Sequence, residues 1–325
     1  MRIGLAAFLV ALVIAAPSAA KDDESDIFNL LFNPPKHAAK PAAPTKQPPK
    51  PMQTATIAGV PVAIWMPADA TPRPFPLIVF SHGFRGCNTQ SSFLMRALAD
   101  HGYLVVAPNH HDAWCTRFGR SLGPRENFGR PDAWNEHSFE DRRTDIAAVL
   151  DALEKEVPWT SLVDPKKIGL IGHSLGGYTV LGLAGAWPSW KRADVKAVLA
   201  LSPWCEPFLR HGALDRIEVP VMYQGGSIDL FITPSVSRPG GAYDKTPAPA
   251  FFVELAHAGH LAWTDLNPTF QDTIVHYALA FFDAELKAGP LAALSQRYGQ
   301  VDEVEAKQAP SATAQPQPTG SSELR

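Results

Sequence analysis

The sequence predicts an α/β protein built on a mostly parallel sheet with helices covering both faces. Three observations carry this expectation. Short apolar runs rich in Val, Ile and Leu recur along the chain, bounded by Gly, Pro and Asn. Those runs are apolar throughout, as strands buried on both sides must be, and do not alternate with polar residues. Helical segments lie between them. In order, TATIAGVPVAIWMP (54–67) reads as one or two strands with a Gly turn, and PLIVFSHG (76–83) as a buried strand. SFLMRALADHG is an amphipathic helix stopped at Gly102, and YLVVAPN (103–109) is the next strand. FEDRRTDIAAVLDALEKE repeats apolar residues at helical spacing through Ile146, Val149, Leu150 and Leu153. KIGLIGHS is a strand and LGGYTVLGLAGA a helix. VKAVLALSP and VPVMYQGG are further strands, APAFFVELA the last one, and FQDTIVHYALAFFDAELKAG a long closing helix.

The ends differ in composition. MRIGLAAFLVALVIAAPSAA has a short positive start at Arg2, an apolar centre and the small-residue exit Ser18-Ala19-Ala20. Residues 1–20 therefore read as a secretory signal peptide cleaved after Ala20, which places the mature protein in the periplasm or outside the cell. Residues 21–53 form a linker rich in Pro, Lys and Ala that cannot bury a core. Its lysines allow a weak contact with an anionic envelope surface. Residues 54–300 are expected to form the folded domain, and 301–325 a disordered tail. The chain has 325 residues, 46% of them hydrophobic, enough for one large core. A net charge of -3 gives no basic field for nucleic acid. Export permits a disulfide among Cys87, Cys115 and Cys205, and three pairings are open.

Gly172-His173-Ser174-Leu175-Gly176 sits where a strand gives way to a helix. Glycines at both ends of such a corner let the backbone turn tightly, so the serine between them is displayed beyond the sheet. Ligands of open α/β sheets bind at that edge. A serine hydroxyl is a weak nucleophile and needs a base oriented by an acid. After such a corner the acid precedes the histidine in the chain. Asp229 follows one strand and His260 the next, so both are expected on the serine's edge. His257 is the rival histidine, but the Gly259-His260 step lies deeper in its loop. His257-x-x-His260 lacks a third metal ligand, and no metal or organic cofactor is called for. An oxyanion formed at Ser174 would need two amide donors: Leu175, which follows the nucleophile, and Phe84, which follows His82-Gly83.

Together PLIVFSHGFRG, GHSLGGYT, GGSIDLFITP and HAGHLAWTD resemble the α/β-hydrolase superfamily, and within it the dienelactone hydrolase and platelet-activating-factor acetylhydrolase-like branch. The resemblance covers roughly residues 54 to 290. It implies the α/β-hydrolase fold, a Ser174–His260–Asp229 triad, and Phe84 and Leu175 at the oxyanion-hole positions. The strand order of that family also implies a Cys87–Cys115 disulfide, with Cys205 left free. The implied activity is hydrolysis of carboxylic esters, small or polymeric, through an acyl-enzyme. Polyester-degrading cutinase-like relatives share the Gly-His-Ser corner. A peptidase or amidase using the same residues, and a non-catalytic envelope-binding protein on the same fold, are the readings from other classes.

Only PWCEPFLRHGALDRIE connects the strands ending near Ser202 and beginning near Val219, too little for a large cap domain. The longer loop from His110 to Ser138 is rich in Trp, Phe, Arg and Gly. Trp114, Phe118 and Trp134 from that loop, with Trp204 just after a strand, are the candidate substrate-pocket residues.

Overall fold

The computed structural model describes residues 53–68, 71–115 and 126–308. The expected signal peptide, most of the expected linker, and Phe118 lie outside them. Nine strands form one sheet: β1 (Gln53–Ile57), β2 (Val60–Trp65), β3 (Phe75–Ser81), β4 (Leu104–Pro108), β5 (Val163–His173), β6 (Val195–Leu201), β7 (Val221–Gly226), β8 (Ala250–Leu255) and β9 (Val301–Lys307). Their order is β1-β2-β4-β3-β5-β6-β7-β8-β9. From β4 to β8 every pairing is parallel; β1, β2 and β9 pair antiparallel at the margins.

The uninterrupted apolar strands have a simple cause. Successive side chains of one strand enter opposite layers: Leu77 and Val79 belong to one core, Ile78 and Phe80 to the other. Helix α1 (Ser92–Asp100) and the long helix α7 (Gln271–Lys287) cover the second core through Phe93, Leu94 and Leu98, and through Tyr277, Phe281 and Phe282. Helix α2 (Glu140–Lys155) and helix α3 (Leu175–Leu181) cover the first through Ile146, Val149 and Leu153, and through Leu175 and Tyr178. Three short helices, α4 (Glu206–His211), α5 (Thr233–Ser237) and α6 (Ala242–Lys245), follow β6 and β7. The β6–β7 connection holds only α4 and one 3-10 turn, with no cap domain there.

Strand β9 was not expected. The folded domain runs to Lys307 rather than to 300. Residues 301–307 pair with β8 from Ala250↔Lys307 to Leu255↔Val301. Val301 and Val304 pack against the second core, while Asp302 and Glu303 face solvent. Lys307 Nζ donates to the Thr246 carbonyl at 2.6 Å and to that of Tyr243, which fixes the strand's far end. Among the described residues no helix is long and apolar enough to cross a membrane.

Candidate active site

The chain places β4 on one side of β3 and then β5 on the other, so the sheet's switch point lies between β3 and β5. Ser174 follows β5 at that point, and the loop carrying Phe84 follows β3.

The corner is held tightly. Ser174 has φ 56° and ψ −117°, a conformation that a non-glycine residue seldom adopts. The flanking glycines make the turn possible. A Cβ on Gly172 would stand 2.1 Å from the Gly176 carbonyl oxygen, and one on Gly176 2.0 Å from that of Ser81. Ser174 N–H donates to the Leu201 carbonyl at 3.0 Å, and Trp204 N–H donates to the Ser174 carbonyl at 3.0 Å. The end of β6 and the residues just after it therefore hold both the amide and the carbonyl of the serine.

His260 Nε2 lies 3.0 Å from Ser174 Oγ, and its Nδ1 lies 3.0 Å from Asp229 Oδ2. The Asp229 side chain is 3% exposed and that of His260 16%. The carboxylate is thus screened from water while the imidazole edge stays reachable. With Nδ1–H directed to Asp229, Nε2 faces the serine hydroxyl as an acceptor. His257 is exposed, and its N–H bonds Ser227 Oγ at 2.8 Å; it stands outside this group.

Beneath the Phe84 loop lies a buried ionic cluster that the sequence reading missed. Arg142, from α2, has a fully buried side chain. Its Nη1 donates to the His82 carbonyl at 2.7 Å, and its Nη2 to the Gly83 carbonyl at 3.1 Å and to Asp112 Oδ2 at 2.8 Å. Asp112 in turn accepts Arg85 N–H at 3.0 Å. One guanidinium and one carboxylate thus fix the main chain on both sides of Phe84. Burial alone would raise the Asp112 carboxyl, but the Arg142 charge prevails and holds it well below the usual carboxylate range. Burial, reinforced by Arg142, lowers His82 to about 3. As a neutral imidazole its Nδ1–H donates to the Gly83 carbonyl at 2.7 Å, and its Nε2 accepts His110 N–H at 3.1 Å.

A second chain of bonds joins the Phe84 loop to His260. Gly83 N–H donates to Gln90 Oε1 at 3.0 Å, and Gln90 Nε2 donates to His173 Nδ1 at 2.9 Å. His173 Nε2–H then donates to the His260 carbonyl at 2.9 Å. Burial, then the nearby His260, lowers His173 to about 3, which keeps its ring neutral as this directed chain requires.

The expected pocket residues fare differently. Trp114 is 60% exposed, with the Arg85 guanidinium 5.4 Å from its ring centre. Arg85 also lies over Phe84, so these side chains form a rim beside the loop. Trp134 does not line an open pocket: it is 1% exposed, and its indole N–H donates to the Asn127 carbonyl at 3.0 Å. It packs against Phe139, Tyr178 and Trp204, because a ring of that size in a long loop buries more area against the core than it could at an open mouth. Trp204 is buried next to Ser174, and its indole N–H has no partner among the described residues. Phe128, which the sequence reading passed over, bridges Phe84 and Trp204 at ring separations of 5.5 and 5.3 Å. The Cys87–Cys115 disulfide is present, with Cα atoms 6.0 Å apart, and Cys205 is free and buried.

Residues 78–311 match the Alpha/beta hydrolase family. The chain belongs to that family. Among the relatives of this α/β hydrolase is "Cutinase est1" of Thermobifida alba, 25% identical over 232 residues, 70% of this chain and 68% of the relative. "Putative esterase YitV" of Bacillus subtilis is 29% identical over 146 residues, 44% of this chain and 52% of the relative. "Bis(hydroxyethyl) terephthalate hydrolase" of Streptomyces coelicolor is 22% identical over 230 residues, 69% and 63% of the two chains.

Proposed function

We propose that this α/β hydrolase is a serine carboxylester hydrolase of the dienelactone hydrolase and platelet-activating-factor acetylhydrolase-like branch, exported to an oxidising compartment. The observation that carries the reading is the hydrogen-bonded series Ser174–His260–Asp229, with both contacts at 3.0 Å, on a strained corner. His260 Nε2 takes the Ser174 proton as Oγ attacks the ester carbonyl. The tetrahedral oxyanion is held by the amides of Phe84 and Leu175. Leu175 opens α3, where the first amides have no acceptor within the helix. Asp229 keeps Nδ1 protonated and stabilises the imidazolium. His260 then gives its proton to the leaving alkoxide, and later activates the water that cleaves the acyl-enzyme. The disulfide supports export, since such bonds persist in oxidising compartments.

Hydrolysis of p-nitrophenyl esters from acetyl to palmitoyl tests this, beside Ser174→Ala and fluorophosphonate labelling. Activity and labelling lost together in the variant support it. Wild-type protein that neither hydrolyses nor labels refutes it.

One observation favours a polymeric ester as substrate. Ile228, Leu230 and Phe231, on either side of Asp229, are 57%, 66% and 74% exposed. An apolar rim of this kind suits a broad, poorly soluble substrate. The names of the cutinase relatives agree with this. Release of soluble acid from a polyester film tests it.

A further inference from the structure

Four adjacent strands, β5 to β8, each end at the candidate active site. β5 delivers Ser174, β7 leads to Asp229 and β8 to His260. The strand between, β6, is followed directly by Ser202, to which no role has been given above. The Ser202 side chain is fully buried and has φ 41°, a backbone conformation uncommon for serine. Its N–H donates to the Gln224 carbonyl of β7 at 2.7 Å, which anchors it between the two strands. Its Oγ makes a short hydrogen bond with Asp229 Oδ2 and lies 2.9 Å from His260 Nδ1.

We propose that Ser202 is a positioning residue of the ester-cleaving group, completing a four-residue set in which its hydroxyl holds the Asp229 carboxylate against His260. The inference rests on the ester-hydrolase reading above. Its chemistry follows from counting donors. The contact with Ser202 is an O–H donated to Asp229 Oδ2, because a carboxylate oxygen accepts and the serine hydroxyl is the donor. His260 Nδ1–H is then shared between Oδ2 and the Ser202 oxygen. The hydroxyl thus does two things at once. It fixes the carboxylate rotamer, and it withdraws part of the negative charge that would otherwise bear on the imidazole. A carboxylate so moderated orients His260 without holding its proton too firmly for transfer to the leaving group.

Among the described titratable groups, Asp229 from the β7 loop and His173 from β5, whose ring centre is 4.9 Å away, face His260. His173 stays neutral through the working range, since burial lowers it to about 3. His173 therefore adds no ionisation of its own to the acid limb of kcat/KM.

The test uses Ser202→Ala and Ser202→Gly. Both remove the hydroxyl, and glycine also relieves the positive φ. The full charge of Asp229 then acts on His260, and a formal charge outweighs the lost hydroxyl dipole. The acid limb is expected to move to higher pH by roughly half to one unit in both variants. kcat should fall about tenfold to hundredfold, with KM little changed. An Ala profile superimposable on the wild type overturns the inference, as does a Gly variant with wild-type kinetics, which would assign the effect to backbone strain. If Ser202→Ala fails to fold, the pH dependence of fluorophosphonate labelling in Ser202→Gly decides by the same shift. Wild-type protein inactive on every ester and unlabelled overturns reading and inference together. An active, labelled wild type with unshifted variants overturns the inference alone.

Discussion

Replacing Arg142 by methionine tests whether the buried ion pair holds the Phe84 loop. Methionine fills much of the same volume but donates nothing. The change strands the Asp112 carboxylate and removes the donors to the His82 and Gly83 carbonyls. The Arg142 side chain is fully buried and that of Asp112 is 9% exposed, so water replaces little of the loss. Breaking a buried pair by removing one partner costs about 3–5 kcal/mol. Proton uptake by Asp112 limits the cost, so about 4 kcal/mol is expected. Against a total stability on the order of 5–15 kcal/mol that is a large share. Urea unfolding followed by tryptophan fluorescence measures it, with the slope showing whether the transition stays two-state. In the surviving folded protein, kcat should fall about tenfold or more, because the proposed Phe84 donor is no longer fixed. Arg142→Lys should lie between, since one ammonium cannot reach three acceptors in fork geometry. Adding Asp112→Asn to Arg142→Met should recover part of the loss by removing the stranded charge. A loss below about 1 kcal/mol in Arg142→Met, with unchanged kcat, would refute the clamp.

Ser174→Gly should abolish turnover yet stabilise the fold by about 1 kcal/mol, because glycine tolerates φ 56° without strain; equal or lower thermal stability counts against strain at the corner. Replacing Cys87 and Cys115 by serine frees a loop of 28 residues' separation, worth about 3.5 kcal/mol by chain entropy, and denaturant midpoints of the oxidised protein and the double variant measure it. Acid should destabilise the fold through His82 and His173. Both are lowered from 6.5 to about 3 by burial, so their contribution is complete above pH 6.5 and is lost as pH falls towards 3. Asp145, pushed up to about 6 by burial, works the other way below pH 6 and offsets part of it. A net loss of at least about 2 kcal/mol between pH 7 and pH 4 is expected; an unfolding free energy flat over that range would mean the two imidazoles are not neutral in the fold.

The sheet could be read from the sequence because its strands carry their burial in their own composition. The corner at Ser174 could be read because Gly172 and Gly176 are required locally, and Asp229 and His260 because each follows a strand. Arg142 was partly legible. It lies four residues before Ile146, on the apolar stripe of its helix, where a charge must find a buried partner. Nothing near Arg142 in sequence names Asp112 as that partner. Ser202 and the Gln90–His173 bridge depend on which strand ends meet, which only the sheet order decides. The Cys87–Cys115 pairing came from a family's strand order and is present. β9 was hidden because VDEVEAK carries only Val301, Val304 and Ala306 as apolar residues; an edge strand needs one buried side and keeps charge on the other. Trp134 shows the converse error: an aromatic residue in a long loop looked like a ligand contact and is a core residue.

The marginal strand also imposes a timetable. During synthesis β8 can pair with β7 as soon as both exist, but its other side offers bare N–H and C=O groups until residue 307 has been made. Phe251, Phe252 and Val253 line that unfinished margin. It is an adhesive template for any neighbouring nascent chain. The strand that leads to His260 is therefore sealed last, by a segment 41 residues downstream of that histidine at its start. Asp302, Glu303 and Glu305 then turn the outermost rim into a charged surface that refuses a further strand.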